Sequence, residues 1–209
     1  MGVAAEDILD CIPAIITIED NDFLSSSPSD EEIKAAVFDM DPSSAPGPDS
    51  FPGSFFRKCW HVVGHEILAM HLSSLLTRLI FDEQGAFQRG KVISSNICLA
   101  LELANMMHSK AFGGGLALKI DIQKAYDTLD WTFLFDVMLK FGFSQILIDR
   151  IHQILLSTRL SVLINGGPVG FFNVERGLCQ GDPLSSILFI IAEEVLCRGL
   201  HSLKMEKKL

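Results

Sequence analysis

Leu116 to Trp131 reads LALKIDIQKAYDTLDW, and the fold turns on this stretch. Leu116, Leu118, Ile120 and Ile122 alternate with Ala117, Lys119 and Asp121, the two-residue period of a strand with one face in a core. Asp121 then points away from that core, at a strand end facing an open cleft. A carboxylate so placed suits Mg²⁺, which takes oxygen ligands and keeps waters and phosphates in its shell. It suits equally well a structural cap on the following turn. Gly113 to Gly115, just upstream, lack the Gly-Lys-Ser/Thr ending of a phosphate loop and lead into a strand, so they read as loop flexibility.

Beyond the stretch, Asp130 can cap a helix carrying Trp131, Leu134, Met138 and Phe141 and ended by Gly142. Ser144 caps another, with Leu147, Ile151, Ile154 and Leu155 apolar. Arg159 to Ile164 and Val169 to Val174 flank Asn165-Gly166-Gly167, a strong β-hairpin signal. In RGLCQGDPLSSILFIIAEEVL, Gly177 and Gly181 free the backbone, Asp182 can cap and Pro183 takes the first helical position. An apolar helix follows to about Leu200. Gln180 and Gly181 precede it in an exposed loop, where an amide and a bare backbone suit ligand contact, although a helix start alone explains Asp182-Pro183.

Upstream, Ser29 and Glu32 form a capping box, and Ile33, Ala36, Val37 and Met40 share one helical face. DPSSAPGPDSF then forbids helix and reads as a rigid linker. Phe51, Phe55, Phe56 and Trp60 cluster before a helix spanning Glu66 to Leu79. His61 and His65 are spaced like helical ligands, but HEILAMH places its second histidine at position 71 and fails the H-E-x-x-H spacing. FDEQGAFQRGK (Phe81 to Lys91) is turn-rich and leads to a helix from Ser94 or Ser95 with Ile97, Leu101 and Ala104 on one face. Met1 to Ser27 offers only an apolar patch, Ile12 to Ile18, then a polar run, and KMEKKL at the other end reads as frayed.

Composition narrows the classes. The 209 residues are 48% hydrophobic, enough for a sizeable core, and the net charge of −9 is the wrong sign for a surface that holds nucleic acid by basic charge. Cys11, Cys59, Cys98, Cys179 and Cys197 form no CxxC pair, so neither a disulfide framework nor a zinc site is indicated, and a reducing compartment is expected. Glu6 stands where a myristoylation signal needs Ser or Thr, and acidic residues interrupt the apolar runs, so no membrane span is expected.

Taken in order, SAPGPDSF (Ser44 to Phe51), EQGAFQRGK (Glu83 to Lys91), LKIDIQKAYDTLDW (Leu118 to Trp131), LSVLINGGPVGFF (Leu160 to Phe172) and RGLCQGDPLS (Arg176 to Ser185) resemble the reverse transcriptase of plant non-LTR (LINE-type) retrotransposons. The resemblance covers about Ser29 to Leu200. It implies an α+β fold, a partial right-hand polymerase with fingers and palm, helix-rich with a β-hairpin and an incomplete antiparallel palm sheet. The chain divides on this basis into residues 1–28 of unclear role, a helical fingers-like region over 29–110 with an internal deletion near 79–82, and a partial palm over 111–209. The implied activity is RNA-directed DNA polymerisation with RNA template and DNA primer as partners, by two-metal nucleotidyl transfer using Mg²⁺, or Mn²⁺ in its place. Asp121 matches the first catalytic aspartate and metal ligand, and the backbone carbonyl of Ile122 a second metal contact. Tyr126 matches the aromatic under the incoming sugar that excludes a 2′-hydroxyl. Gln180 and Gly181 match the loop that contacts nucleotide and template.

Departures from the pattern are equally specific. No Asp-Asp pair exists in the sequence, the Pro-Lys and Arg-Pro-Ile segments expected between Leu79 and Asp82 are missing, Ser50 replaces a favoured Gly, and Cys179 a favoured Arg. A polymerase by descent that is catalytically incomplete as this chain is therefore expected. The alternative is a non-catalytic interaction module exposing an apolar palm surface. An intracellular location follows, with cytoplasm and nucleus undistinguished.

Overall fold

A computed structural model describes residues 8–29, 31–32, 60–88, 90–107, 117 and 119–206, the side chains of 60–66 excepted. Helices α1 (Ile18–Ser25), α2 (Trp60–Leu79), α3 (Ile93–Met106), α4 (Ala125–Thr128), α5 (Trp131–Phe141) and α6 (Gln145–Ser157) lead to strands β1 (Arg159–Ile164) and β2 (Gly167–Asn173), and α7 (Pro183–Met205) follows. SAPGPDSF, the helix beyond Glu32, Gly113 to Gly115, Cys59 and the side chains of His61 and His65 lie outside the described residues.

Local caps decide where helices start. Asp130 accepts from the Phe133 N–H at 3.0 Å to open α5, and Gly142, at φ +99°, closes it in a left-handed turn that glycine adopts without strain. Ser144 accepts from the Leu147 N–H at 3.4 Å to open α6. Asp182 accepts from the Ser185 N–H at 2.9 Å and its hydroxyl at 2.6 Å, with Pro183 at the first helical position of α7. That helix runs to Met205, beyond the expected end near Leu200, and takes in Lys204 and Met205 of the tail expected to fray.

The core lies where α2 and α5 pack on α7. Leu72, Leu76 and Leu79 of α2, Leu134, Met138 and Phe141 of α5, and Leu188, Ile190 and Ile191 of α7 are fully buried. Leu9, Ile12, Ile16 and Leu24 join the same cluster. Their segment crosses the α5–α6 corner: the Ile15 and Ile16 N–H groups both donate to the Phe141 carbonyl at 2.9 Å. The Asn21 side chain donates to the Gly142 carbonyl at 2.9 Å and accepts from the Ser144 N–H at 2.7 Å. A Cβ on Gly142 would lie 2.9 Å from the Ile16 carbonyl oxygen, so the close crossing needs glycine there. α1 opens with a reciprocal cap between Thr17 and Asp20, and Arg78 clamps Asp20 through two bonds of 2.8 and 2.9 Å.

Strands β1 and β2 pair antiparallel about a two-residue Asn165-Gly166 turn, both residues at positive φ, as the sequence predicts. A bulge between Ser161 and Val162 is absorbed by Gly170 at φ +66°. The ribbon is exposed on both faces, Leu163 and Phe171 most of all.

One expectation fails. Among the described residues of the stretch around Asp121 no strand forms: Ala117, Lys119, Ile120, Asp121 and Ile122 carry no ladder, and Ile120 and Ile122 are 48% and 47% exposed. A strand needs a neighbour for its N–H and C=O groups, and among the described residues β1 and β2 pair only with each other. Alternation identified a segment able to pair, without supplying the partner. Helix α3 forms but starts at Ile93 with no side-chain cap, and none of its residues is buried, Ile97 and Leu101 included. Its apolar side chains go right round the helix, so periodicity does not select a face.

Candidate functional site

Asp121 and Ile122 lie on an exposed extended segment that enters the turn Gln123-Lys124 and then the single turn of α4. Lys124 has φ +52°, a left-handed conformation costly for a residue with a Cβ, and its carbonyl accepts the Thr128 N–H at 3.0 Å. This reversal turns Tyr126 inward. Its ring stacks on Phe189 of α7, centroids 4.7 Å apart and planes at 15°, and meets Phe87 edge-on at 6.5 Å.

The chain before Gln180 is bonded to the chain around Tyr126. The Gly177 N–H donates to the Leu129 carbonyl at 2.8 Å, the Leu178 N–H to the Tyr126 carbonyl at 2.9 Å, and the Trp131 indole N–H to the Gly177 carbonyl at 2.7 Å. Gly177 makes this approach possible. It holds φ +81°, and a Cβ there would sit 2.7 Å from the Asp127 carbonyl oxygen. Past the junction, Gln180 and Gly181 are exposed, and Gly181 at φ +96° has open space where a Cβ would point. The structure thus brings Tyr126 and the Gly177–Leu178 turn together, while Asp121 and Gln180 each reach solvent a few residues from that junction.

The donor set does not fit a pair of divalent ions. Among the described residues no group of three or more His, Cys, Asp or Glu side chains is placed to hold a metal, and Asp121 is a single exposed carboxylate. Two cations need more negative ligands than that to offset their mutual repulsion. His71 is also no ligand here: its Nε2 lies 2.9 Å from Glu32 Oε1, closing the Ser29–Glu32 capping box onto α2. A cavity of about 730 Å³ beside His71, lined by Leu24, Ile67, Ile146 and Arg150 among others, shares no lining residue with the Asp121–Gln180 region.

Sequence reading missed the polar link behind the site. Glu194, 1% exposed on α7, accepts the Phe81 N–H at 3.2 Å and faces Arg198 Nε at 3.0 Å. That last pair is out of hydrogen-bond alignment and is held by charge, while Arg198 donates to the Leu79 carbonyl at 2.7 Å and lies over the Phe81 ring. Burial pushes the Glu194 carboxyl above its ordinary value, against the lowering effects of the Phe81 N–H and Arg198. The Glu-x-x-x-Arg spacing on an otherwise apolar helix was the available signal. Next to it, Gln84 donates to Glu193 at 2.9 Å and ties the loop after α2 to α7.

A family model described as reverse transcriptase (RNA-dependent DNA polymerase) matches residues 63–207. The chain is 28% identical over 148 residues to the Transposon TX1 uncharacterized 149 kDa protein of Xenopus laevis, covering 70% of this chain and 11% of that protein. It is 29% identical over 82 residues to the retrovirus-related Pol polyprotein from type-1 retrotransposable element R2 of Popillia japonica, 39% of this chain and 14% of that protein. A 37-residue stretch is 57% identical to an uncharacterized mitochondrial protein of Arabidopsis thaliana, 18% of this chain and 30% of that protein. The chain therefore spans a small part of the first two relatives' length. With more than half its residues matched in one family, and with Pol proteins of non-LTR retrotransposons among its homologues, it belongs to the reverse transcriptase (RNA-dependent DNA polymerase) family.

Proposed function

We propose that the chain is the nucleotide-binding part of an RNA-directed DNA polymerase from a plant LINE-type retroelement, with fingers over residues 29–110 and palm from 111. Reverse transcriptases use divalent metal ions and bind template and primer nucleic acid, which fits this reading. The observation that carries it is the junction of Gly177 and Leu178 with Leu129 and Tyr126, which fixes the Gln180 loop relative to the Asp121 segment. Tyr126, backed by Phe189, lies under the sugar of an incoming deoxynucleotide. Gln180 and the open backbone at Gly181 meet the nucleotide and the template. Asp121 and the Ile122 carbonyl are the metal-facing positions, for Mg²⁺ or Mn²⁺. Plant origin is supported by the order of the motifs and by the Arabidopsis match.

With one carboxylate placed for two ions among the described residues, and no Asp-Asp pair in the sequence, the chain alone binds nucleotide and does not polymerise it. Calorimetric titration of the purified chain with dCTP and Mg²⁺ tests the binding half. Millimolar binding that weakens about tenfold in Gln180→Ala, an exposed position where folding is safe, is expected, since that corresponds to about 1.4 kcal/mol, one hydrogen bond to a charged ligand. Absence of binding would contradict the reading.

A second reading rests on α3 and the hairpin, whose apolar side chains are exposed on all sides. A non-catalytic interaction module would present such surfaces to a partner. Sedimentation that stays monomeric at every concentration, with no partner bound, would count against it.

A further inference from the structure

Among the described residues, three outside glycine have left-handed backbone: Phe87, Lys124 and Asn165. Asn165 is explained by the hairpin turn. The other two flank one side chain, Tyr126. Lys124 stands two residues before it, and Phe87, at φ +54°, places its ring edge-on against it from a distant part of the chain. A bulky residue rarely holds this conformation, and persists in it only where the surroundings enforce it.

Those surroundings are rigid on both sides of Phe87. The Gln84 side chain bonds Glu193 of α7 and accepts the Ala86 N–H at 3.0 Å. The Gln84 carbonyl accepts from the Gln88 side chain at 2.6 Å and from Lys91 at 3.2 Å. Asn96 of α3 donates to the Glu83 carbonyl at 2.7 Å. Burial does not account for the left-handed backbone at Phe87, because Phe87 is 59% exposed. Its orientation toward Tyr126 does.

We infer that Phe87 is a positioning residue for the nucleotide site: its ring meets the Tyr126 ring edge-on and, together with the Phe189 stack, fixes the Tyr126 plane that meets the sugar and distinguishes deoxyribose from ribose. This rests on the nucleotide-site reading above. Phe189 alone limits tilt of the tyrosine, since stacking leaves the ring free to slide in its plane, and the near-perpendicular Phe87 ring adds a second contact that restrains it. The strain is a local cost that sets the ring where the loop would otherwise not put it.

Tyr126 is the single tyrosine of the chain, so 3-fluorotyrosine labelling gives one ¹⁹F resonance that reports it alone. The test uses the full chain as wild type, Phe87→Ala, Phe87→Gly and Phe87→Trp, titrated with dCTP and with CTP in Mg²⁺. Loss of the ring in the Ala and Gly variants is expected to shift the free resonance and to reduce the dCTP over CTP preference threefold or more, with the Trp variant keeping it. Stability should follow the backbone instead: the Gly variant should melt about 2–4 °C above the Ala variant, the reverse of their usual order. A structural role alone would move stability and leave the preference intact. A wild type that prefers dCTP, with Ala and Gly variants that prefer it equally, overturns the inference and leaves the nucleotide site standing. A wild type that binds neither nucleotide overturns the site reading and the inference with it.

Discussion

At the scale of single residues, Gly177 is the position on which the site depends most. Any side chain there must both hold φ +81° and crowd the Asp127 carbonyl, so Gly177→Ala should lower unfolding stability by about 1–3 kcal/mol in urea denaturation. It should also free the bonds that fix the Gln180 loop. Sequence reading recognised Gly177 as a flexible position, but the carbonyl that excludes a Cβ belongs to a segment some fifty residues away and left no local trace. Asp20 gives a residue-scale prediction about pH. The Arg78 fork and then the Thr17 N–H hold its carboxyl down at about 2, from an ordinary value of 3.8. A lowered acid stabilises the fold while ionised: its contribution is full above about pH 3.8 and is lost as pH falls toward 2. Asp20→Asn should therefore flatten the acid limb of the stability profile between those values, and an unchanged limb would show that Asp20 contributes nothing to it.

Among elements, what was legible divides along a physical line. The caps at Asp130, Ser144 and Asp182 and the Asn165-Gly166 turn are contacts within a few residues, and sequence alone located them. The Thr17–Asp20 cap has the same signature and was passed over because α1 lacks an apolar stripe. The strand before Asp121 depends on a partner elsewhere in space, and there the pattern misled. Glu194 and Arg198 were hidden for a related reason, since two charges on an apolar helix look like a solvated edge until the helix is seen to be surrounded. Removing one member of such a pair leaves a buried charge. Arg198→Met should cost about 3–5 kcal/mol, and Glu194→Gln added to it should recover most of the loss. Thermal or urea unfolding of the single and double variants measures this coupling, and additive losses would mean that the pair does not interact.

For the whole molecule, the family-matched span and the folded unit do not coincide. The match begins at residue 63, yet Leu9, Ile12, Ile16 and Leu24 are built into the core, and Ile15, Ile16 and Asn21 of the same segment are bonded across the α5–α6 corner. Burial of those side chains is worth about 1.5–3 kcal/mol each, together comparable with the roughly 5–15 kcal/mol that holds a domain folded. A chain trimmed to residues 63–207 should consequently lose its cooperative thermal transition, and a trimmed chain that melts like the full one would show the strap to be dispensable. The candidate site was legible as a set of motif residues. Its geometry was not, because the Tyr126, Gly177 and Phe87 contacts join segments far apart in sequence.

On the proposed function, the segment Asp121 to Tyr126 and the loop Gln180 to Gly181 form a polymerase nucleotide site without the Asp-Asp pair that would complete its metal ligands. Primer extension on an RNA template, with Mg²⁺ and then Mn²⁺, measures this most directly, using folded wild-type chain and Asp121→Ala side by side. No extension from either protein is expected. Extension by the wild type that vanishes in Asp121→Ala would contradict that expectation, and would show that another carboxylate of this chain completes the metal site.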